Sequence, residues 1–244
     1  MHVAGATWST SMSRSNKIVL ITGASKGIGR RVADLLTSDG QTVYCASRSG
    51  QGGLNIQMDV TCEDSVRSAF EYVFNKHGRI DVLINNAGIA SSTPIETCEF
   101  SEWDRIIRTN LSGAFLCSRE AIRYFLRQDG GCIVNVSSIA GRLYSLTASE
   151  AYTCSKYGLI GLTRQLANRY GKHGIRVNAV CPSQTLTEML VNGTSEMQRQ
   201  QLSESNPLGR LADPMEVAEA IRFLTSDKCA YLNGAVIDIN GGIV

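Results

Sequence analysis

An apolar run that ends in a glycine turn and restarts as a helix leaves a chain few folds to choose from. Lys17-Ile18-Val19-Leu20-Ile21 reads as a short buried strand. It runs into Thr22-Gly23-Ala24-Ser25-Lys26-Gly27-Ile28-Gly29, after which Val32, Leu35 and Leu36 form a helical apolar stripe. Glycines permit a tight turn and let backbone approach a pyrophosphate, and the helix N-terminus then receives the negative charge. The spacing is Gly-x-x-x-Gly-x-Gly rather than the commoner Gly-x-Gly-x-x-Gly. A simple turn accounts for one glycine, not for three ending at a helix start, so the stretch predicts a cofactor site.

The strand–helix alternation continues. Thr42–Ala46 is the second strand and Leu54–Met58, closed by Asp59-Val60, the third. The Gly-rich connection from Ser47 to Gly53 is too short for a normal crossover helix, so a loop is expected there. Cys62 to His77 reads as a helix, and Asp81–Ile84 as a strand ending in Asn85-Asn86-Ala87-Gly88, small and amide residues that suit a wall against a flat ligand. A long helical region spans about 101–128, with Asn110 inside it. An amide within a helix competes with backbone hydrogen bonding, so Asn110 is either a satisfied core amide or an organiser of water or backbone in a site. Cys132–Val136 is a fifth strand and Ile175–Val180 a sixth, ending at Cys181-Pro182. Thr185 to Gln201 reads as a mobile lid, Pro214 to Thr225 as a helix with proline in its first turn, and Ala235–Ile239 as a last strand. Neither an internal repeat nor a linker between domains interrupts residues 17–244, and residues 1–16 read as a flexible Ser/Thr-rich leader.

Composition closes off other classes. A net charge of +2 gives no nucleic-acid or membrane surface. No apolar run reaches the roughly 20 residues of a membrane span. The eight cysteines show no metal-ligand spacing and read as reduced thiols in a cytoplasm-like compartment, an organelle matrix being an alternative.

Chemistry concentrates between Ser138 and Lys156. Tyr152 and Lys156 are four apart, one turn of a helix, on one face. A tyrosine with an ordinary pKa of roughly 10 is a poor proton shuttle at neutral pH, and a neighbouring ammonium is expected to lower it. Ser138 follows the fifth strand, and ligands of open α/β sheets sit beyond the strands' carboxyl ends. It is therefore placed to hydrogen-bond a substrate oxygen. At the end of the second strand stands Arg48, with no Asp or Glu between Thr42 and Gln57. Arginine there suits a ribose 2′-phosphate, and Lys26 could reach the same group, so NADP(H) is expected over NAD(H).

The ordered set of Thr-Gly-x-x-x-Gly-Ile-Gly at 22–29, Asn-Asn-Ala-Gly at 85–88, Asn110, Ser138 and Tyr-x-x-x-Lys at 152–156 resembles the short-chain dehydrogenase/reductase family, from about Lys17 to Gly242. The resemblance implies a single-domain α/β fold of the Rossmann type, with a doubly wound, seven-stranded parallel sheet in order 3-2-1-4-5-6-7. It implies a catalytic tetrad of Asn110, Ser138, Tyr152 and Lys156, with Asn110 holding a proton-relay water. It implies cofactor contacts from Gly23, Ser25, Lys26, Gly27, Ile28, Gly29, Arg48, Asp59, Val60, Asn86, Ala87, Gly88, Tyr152, Lys156, Pro182 and Thr187, no metal, and a homotetramer or homodimer. Three departures stand out: a Ser138–Tyr152 spacing one residue longer than in many members, Ser183 in place of the glycine usual after Pro182, and Asn240 in place of an aspartate. The short connection after Arg48 and the segment Tyr231–Ala235 are similar to bacterial 3-oxoacyl-carrier-protein reductases. The expected activity is NADPH-dependent reduction of a ketone, with a 3-oxoacyl thioester, free or carrier-bound, as favoured substrate. The alternatives are an NAD-linked dehydrogenase of a secondary alcohol, sugar or diol, and a catalytically idle nucleotide-binding scaffold.

Overall fold

The computed structural model describes residues 16–50, 54–128 and 130–243. The leader, up to residue 15, and the middle of the Gly-rich connection, 51–53, lie outside them. Seven strands, β1 (Ile18–Thr22), β2 (Thr42–Ser47), β3 (Asn55–Gln57), β4 (Val82–Asn85), β5 (Gly131–Val136), β6 (Ile175–Pro182) and β7 (Val236–Ile239), form one parallel sheet in the order β3-β2-β1-β4-β5-β6-β7. That is the order the family resemblance implies.

Parallel strands need crossovers, and these clothe both faces of the sheet. The helices are α1 (Gly27–Ser38), α2 (Glu63–His77), α3 (Phe100–Ile107), α4 (Gly113–Phe125), α5 (Glu150–Tyr170), α6 (Glu188–Gly193), α7 (Glu196–Glu204) and α8 (Pro214–Thr225). Alternation along β1 divides the core: Leu20 packs with Tyr44, Phe70, Leu83 and Phe125, whereas Val19 and Ile21 pack with Val32, Leu36, Val217 and Ile221. Each such apolar side chain contributes roughly 1.5–3 kcal/mol on burial.

Four expectations change on contact with the tertiary structure. Asp81 precedes β4 instead of opening it: its carboxylate accepts from Ile18 N at 2.7 Å and Arg79 Nε at 3.0 Å, tying β4's entry to β1. The region 101–128 is not one helix, because residues Arg108–Ser112 form a single π-helical turn between α3 and α4, centred on Asn110. The segment 185–201, expected as a lid without assigned helices, carries α6 and most of α7. Ser195-Glu196-Met197-Gln198 makes a capping box at the start of α7, with Gln198 N to Ser195 Oγ at 3.2 Å and Ser195 N to Gln198 Oε1 at 2.8 Å. The chain before α6 is zipped to the chain after α7, Leu186 N to Ala212 O at 2.9 Å and Ala212 N to Gln184 O at 3.0 Å. The third strand shrinks to three residues at the sheet edge.

Candidate active site

The sheet order reverses between β1 and β4, and a cleft of about 1640 Å³ opens at the strands' carboxyl ends there. The Gly-rich turn forms one wall. Gly23 has φ +65°, and a Cβ on it would stand 2.8 Å from Ala87 Cα; one on Gly29 would stand 2.4 Å from Asn86 Nδ2. The turn therefore packs directly on the Asn-Asn-Ala-Gly segment. Asn86 Nδ2 donates to Gly23 O at 2.9 Å and Thr22 O at 3.0 Å, and Thr22 Oγ1 accepts from Asn86 N and Ala87 N. The side chain of Asn86 thus holds the turn in shape. The first turn of α1 leaves the N–H groups of Gly27, Ile28 and Gly29 outside the helical ladder. Backbone cradle, missing Cβ atoms and free donors together fit a dinucleotide pyrophosphate.

Residues Lys26, Arg48, Asp59 and Val60 line the same cleft, with Ser25 beside the turn. Asp59 accepts from Thr61 N at 2.9 Å and Thr61 Oγ1 at 2.7 Å. These bonds, with smaller help from the charges of Arg48 and Arg108, hold its carboxyl below the ordinary range. Sequence reasoning missed Arg108, the first residue of the π-helical turn, which lines the same cleft near Asp59.

At the other end stand the four residues predicted as a tetrad. Ser138 ends the extended run after β5, and its Oγ accepts from Ala140 N at 3.1 Å. Tyr152 and Lys156 project from the first turns of α5 into the cleft. Lys156 Nζ donates to Val136 O at 2.9 Å, and Ser137 Oγ donates to Lys156 O at 3.0 Å. Asn110 Oδ1 accepts from Ile89 N at 2.9 Å, while Nδ2 donates to Ile89 O at 2.9 Å and Ser155 Oγ at 3.1 Å. A Cβ on Gly88 would lie 3.5 Å from Asn110 Oδ1 and 3.6 Å from Lys156 Nζ, so these two groups share the pocket floor at Gly88. Pro182 and Thr187 complete that end.

The electrostatics differ from the sequence expectation. Tyr152 is not depressed by its lysine in this structure. Burial pushes its phenol above the ordinary value, and a hydrogen bond with Ser138 opposes that. Burial likewise lowers Lys156 to about 8. Two desolvated groups each favour their neutral form, and burial is the largest cause for both.

A buried amide ladder under the site was also missed. Asn85 on β4 faces Asn135 on β5 in register, and its Nδ2 donates to Asn135 Oδ1 at 2.8 Å and Ser118 Oγ at 3.0 Å. Asn135 Nδ2 donates to Thr163 Oγ1 on α5 at 2.8 Å. Asn135 interrupts an apolar run, the one sequence signal that a buried polar partner must exist. Ser183 N bonds Ile239 O at 3.0 Å, and Asn240 Oδ1 accepts from Gly242 N at 3.0 Å, so the Asn240 departure serves the C-terminal turn.

A parallel sheet of this order, with a phosphate cradle at the switch point and a Ser/Tyr/Lys group beyond β5, defines a nicotinamide-dinucleotide oxidoreductase. The chain belongs to the short-chain dehydrogenase/reductase family. The family model described as Enoyl-(Acyl carrier protein) reductase matches residues 23–244. The 3-oxoacyl-(acyl-carrier-protein) reductase FabG of Thermotoga maritima is 38% identical over 247 residues, 96% of this chain and 100% of that protein. That of Aquifex aeolicus is 34% identical over 242 residues, 93% of this chain and 97% of that protein. Among solved structures, ligand-free aldohexose dehydrogenase of Thermoplasma acidophilum superposes with a TM-score of 0.87 at 36% identity, covering 93% of this chain and 94% of that one. Levodione reductase superposes with a TM-score of 0.88 at 31% identity, covering 93% and 96%. The chain is thus an oxidoreductase, its cofactor is a nicotinamide dinucleotide, and the basic residues at the adenosine end fit NADP(H). No helix among the described residues is long and apolar enough to cross a membrane.

Proposed function

We propose that this protein reduces the ketone of a 3-oxoacyl thioester, free or carrier-bound, to a secondary alcohol at the expense of NADPH. The observation that carries the reading is the meeting of Asn110 and Lys156 at Gly88, with Ser138 and Tyr152 in the same cleft as the phosphate cradle. NADPH held in the cleft would supply the hydride. Ser138 Oγ–H and Tyr152 O–H bind the ketone oxygen, and Tyr152 gives it the proton. A phenol kept protonated by burial suits a proton donor. Lys156 holds the ribose hydroxyls and, when charged, stabilises the phenolate left behind. Asn110 fixes Ile89 by two bonds and keeps a second lone pair on Oδ1 for the water that returns protons to Lys156. Gly23, Ser25, Lys26, Gly27, Ile28 and Gly29 bind the phosphates, Arg48 and Lys26 the 2′-phosphate, and Asp59 and Val60 the adenine end. Ala87, Gly88, Pro182 and Thr187 flank the nicotinamide half.

A homo-oligomer, tetramer or dimer, is supported by exposed apolar side chains on adjoining helices: Phe100 on α3, Phe115 on α4 and Tyr157 on α5. One observation favours a second substrate reading, a sugar or other polyol. Ser145, Thr147, Gln184, Asn192 and Thr194 line the cleft beside Ile139, Met189 and Leu190, so hydroxyl and amide groups stand among the apolar ones. Initial rates with acetoacetyl thioesters and NADPH, beside aldohexoses and diols with NADP⁺ and NAD⁺, separate the two. Thioester reduction at the higher kcat/KM is expected. A preference for polyols would replace the first reading with the second, and inactivity on every substrate would leave the idle scaffold.

A further inference from the structure

The lid hangs an acid over the phosphate cradle. A Cβ placed on Gly27, the first residue of α1, would lie 3.6 Å from Glu188 Oε2 and 3.6 Å from Thr187 Cγ2. Gly27 has φ +58° and opens the helix whose first N–H groups point into the cleft. This helix end is otherwise bare of negative charge: Lys26 provides no side-chain cap, and the first turn contains no acidic residue. Glu188 is exposed and has no ion-pair partner among the described residues, so its carboxylate is not committed to a cation elsewhere. Its backbone begins α6 directly after Thr187, whose Oγ1 accepts from Leu190 N at 3.4 Å, and that cap fixes where the acidic side chain starts.

We infer that the Glu188 carboxylate, held beside the first residue of α1, repels the cofactor pyrophosphate and so weakens cofactor binding. The proposal rests on the dinucleotide reading of the cleft. A helix N-terminus favours one negative group. A carboxylate and a pyrophosphate cannot both hold that position without repulsion, which a low-dielectric cleft strengthens. Loading therefore requires the Glu188 side chain, or α6 with it, to swing away. Release is helped by its return. The lid is thereby coupled to the cofactor by charge as well as by contact.

The test is equilibrium binding of NADPH, followed by its fluorescence, to the purified wild type, Glu188→Gln and Glu188→Asp. Glu188→Gln keeps the shape and removes the charge. It should bind NADPH roughly three- to tenfold more tightly at low salt, the size of a single charge at a helix end. The gap should narrow as salt is raised, and Glu188→Asp should stay near the wild type. Equal or weaker NADPH affinity in Glu188→Gln overturns the inference; weaker affinity would make the carboxylate a cofactor ligand. Failure of every form to bind NADPH would sink the cofactor reading and this inference with it, whereas tight binding without a charge effect would sink the inference alone.

Discussion

Lys156 stands over Tyr152, with Nζ 5.5 Å from the centre of the phenol ring. The ammonium thus faces the ring while its hydrogen bond goes to Val136 O, at the end of the strand that delivers Ser138. The pair reads as a proton donor and a charge held in reserve, not as a contact ion pair. Each group's neutral form is favoured by burial, and a cofactor charge arriving in the cleft would shift that balance.

Tyr152→Phe should abolish turnover while leaving NADPH affinity near the wild-type value. Only the hydroxyl is removed, and the ring keeps its place under Lys156. General acid catalysis is worth about 10²–10⁴-fold, so a variant that retained a tenth of the wild-type rate would remove Tyr152 from the proton-transfer step.

The pH dependence should report Lys156. Burial lowers its folded value to about 8 from the ordinary 10.5. In the free enzyme kcat/KM for reduction should therefore fall as pH rises through about 8, where the ammonium is lost. Lys156→Arg stays charged over that range and should lack this limb, at a reduced overall rate. The sign for stability is the opposite. The unfolded chain binds more protons between about 8 and 10.5, so this lysine's penalty shrinks as pH rises across that window. An alkaline limb unchanged in Lys156→Arg would point to another group.

Cofactor choice should rest on Arg48. It lines the cleft beyond β2, exposed, and no acid of β2 competes with it. A charge-assisted bond contributes roughly 1.5–3 kcal/mol, so Arg48→Asp should cut the NADPH-to-NADH ratio of kcat/KM by about ten- to a hundredfold or more. Steady-state kinetics with both cofactors decide it. No change in the ratio would leave the 2′-phosphate to Lys26.

Asn135→Ala should destabilise without touching the cleft directly. It strands one Nδ2 hydrogen of Asn85 and one lone pair of Thr163 Oγ1, both buried, while the bonds to Ser118 Oγ and Leu159 O remain. Leaving such groups unpaired costs about 1–3 kcal/mol, readable as a lower urea midpoint at unchanged slope. A midpoint equal to wild type would mean that water replaces the lost amide.

Light scattering at micromolar concentration should give a dimer or tetramer. Replacing Phe100, 78% exposed, and Phe115, 47% exposed, by Ser and Gln should lower the mass toward that of one chain. A wild-type monomer would remove these helices from any interface.

The sequence by itself determined much of this protein. Alternating apolar runs and glycine turns dictate a parallel doubly wound sheet, because each βα unit is a local pattern. Residues tied to such units, Gly23 to Gly29, Ser138, and the Tyr152–Lys156 pair, are therefore legible at fixed spacing. Pro214 to Thr225 was legible for the same reason, with proline at the start and Asp213 capping it. What only the tertiary structure decided involves groups far apart in sequence or buried beyond what spacing can express. The π-helical turn at Asn110 sets an amide against Ile89, 21 residues earlier in the same β4–β5 crossover, a pairing that no local spacing expresses. The upward shift of Tyr152 reflects how deeply the folded cleft takes it from water, which no i, i+4 spacing encodes. Glu188 meets Gly27 across some 160 residues of chain, and only the closing of the lid over the first βα turn puts an acid beside a phosphate cradle.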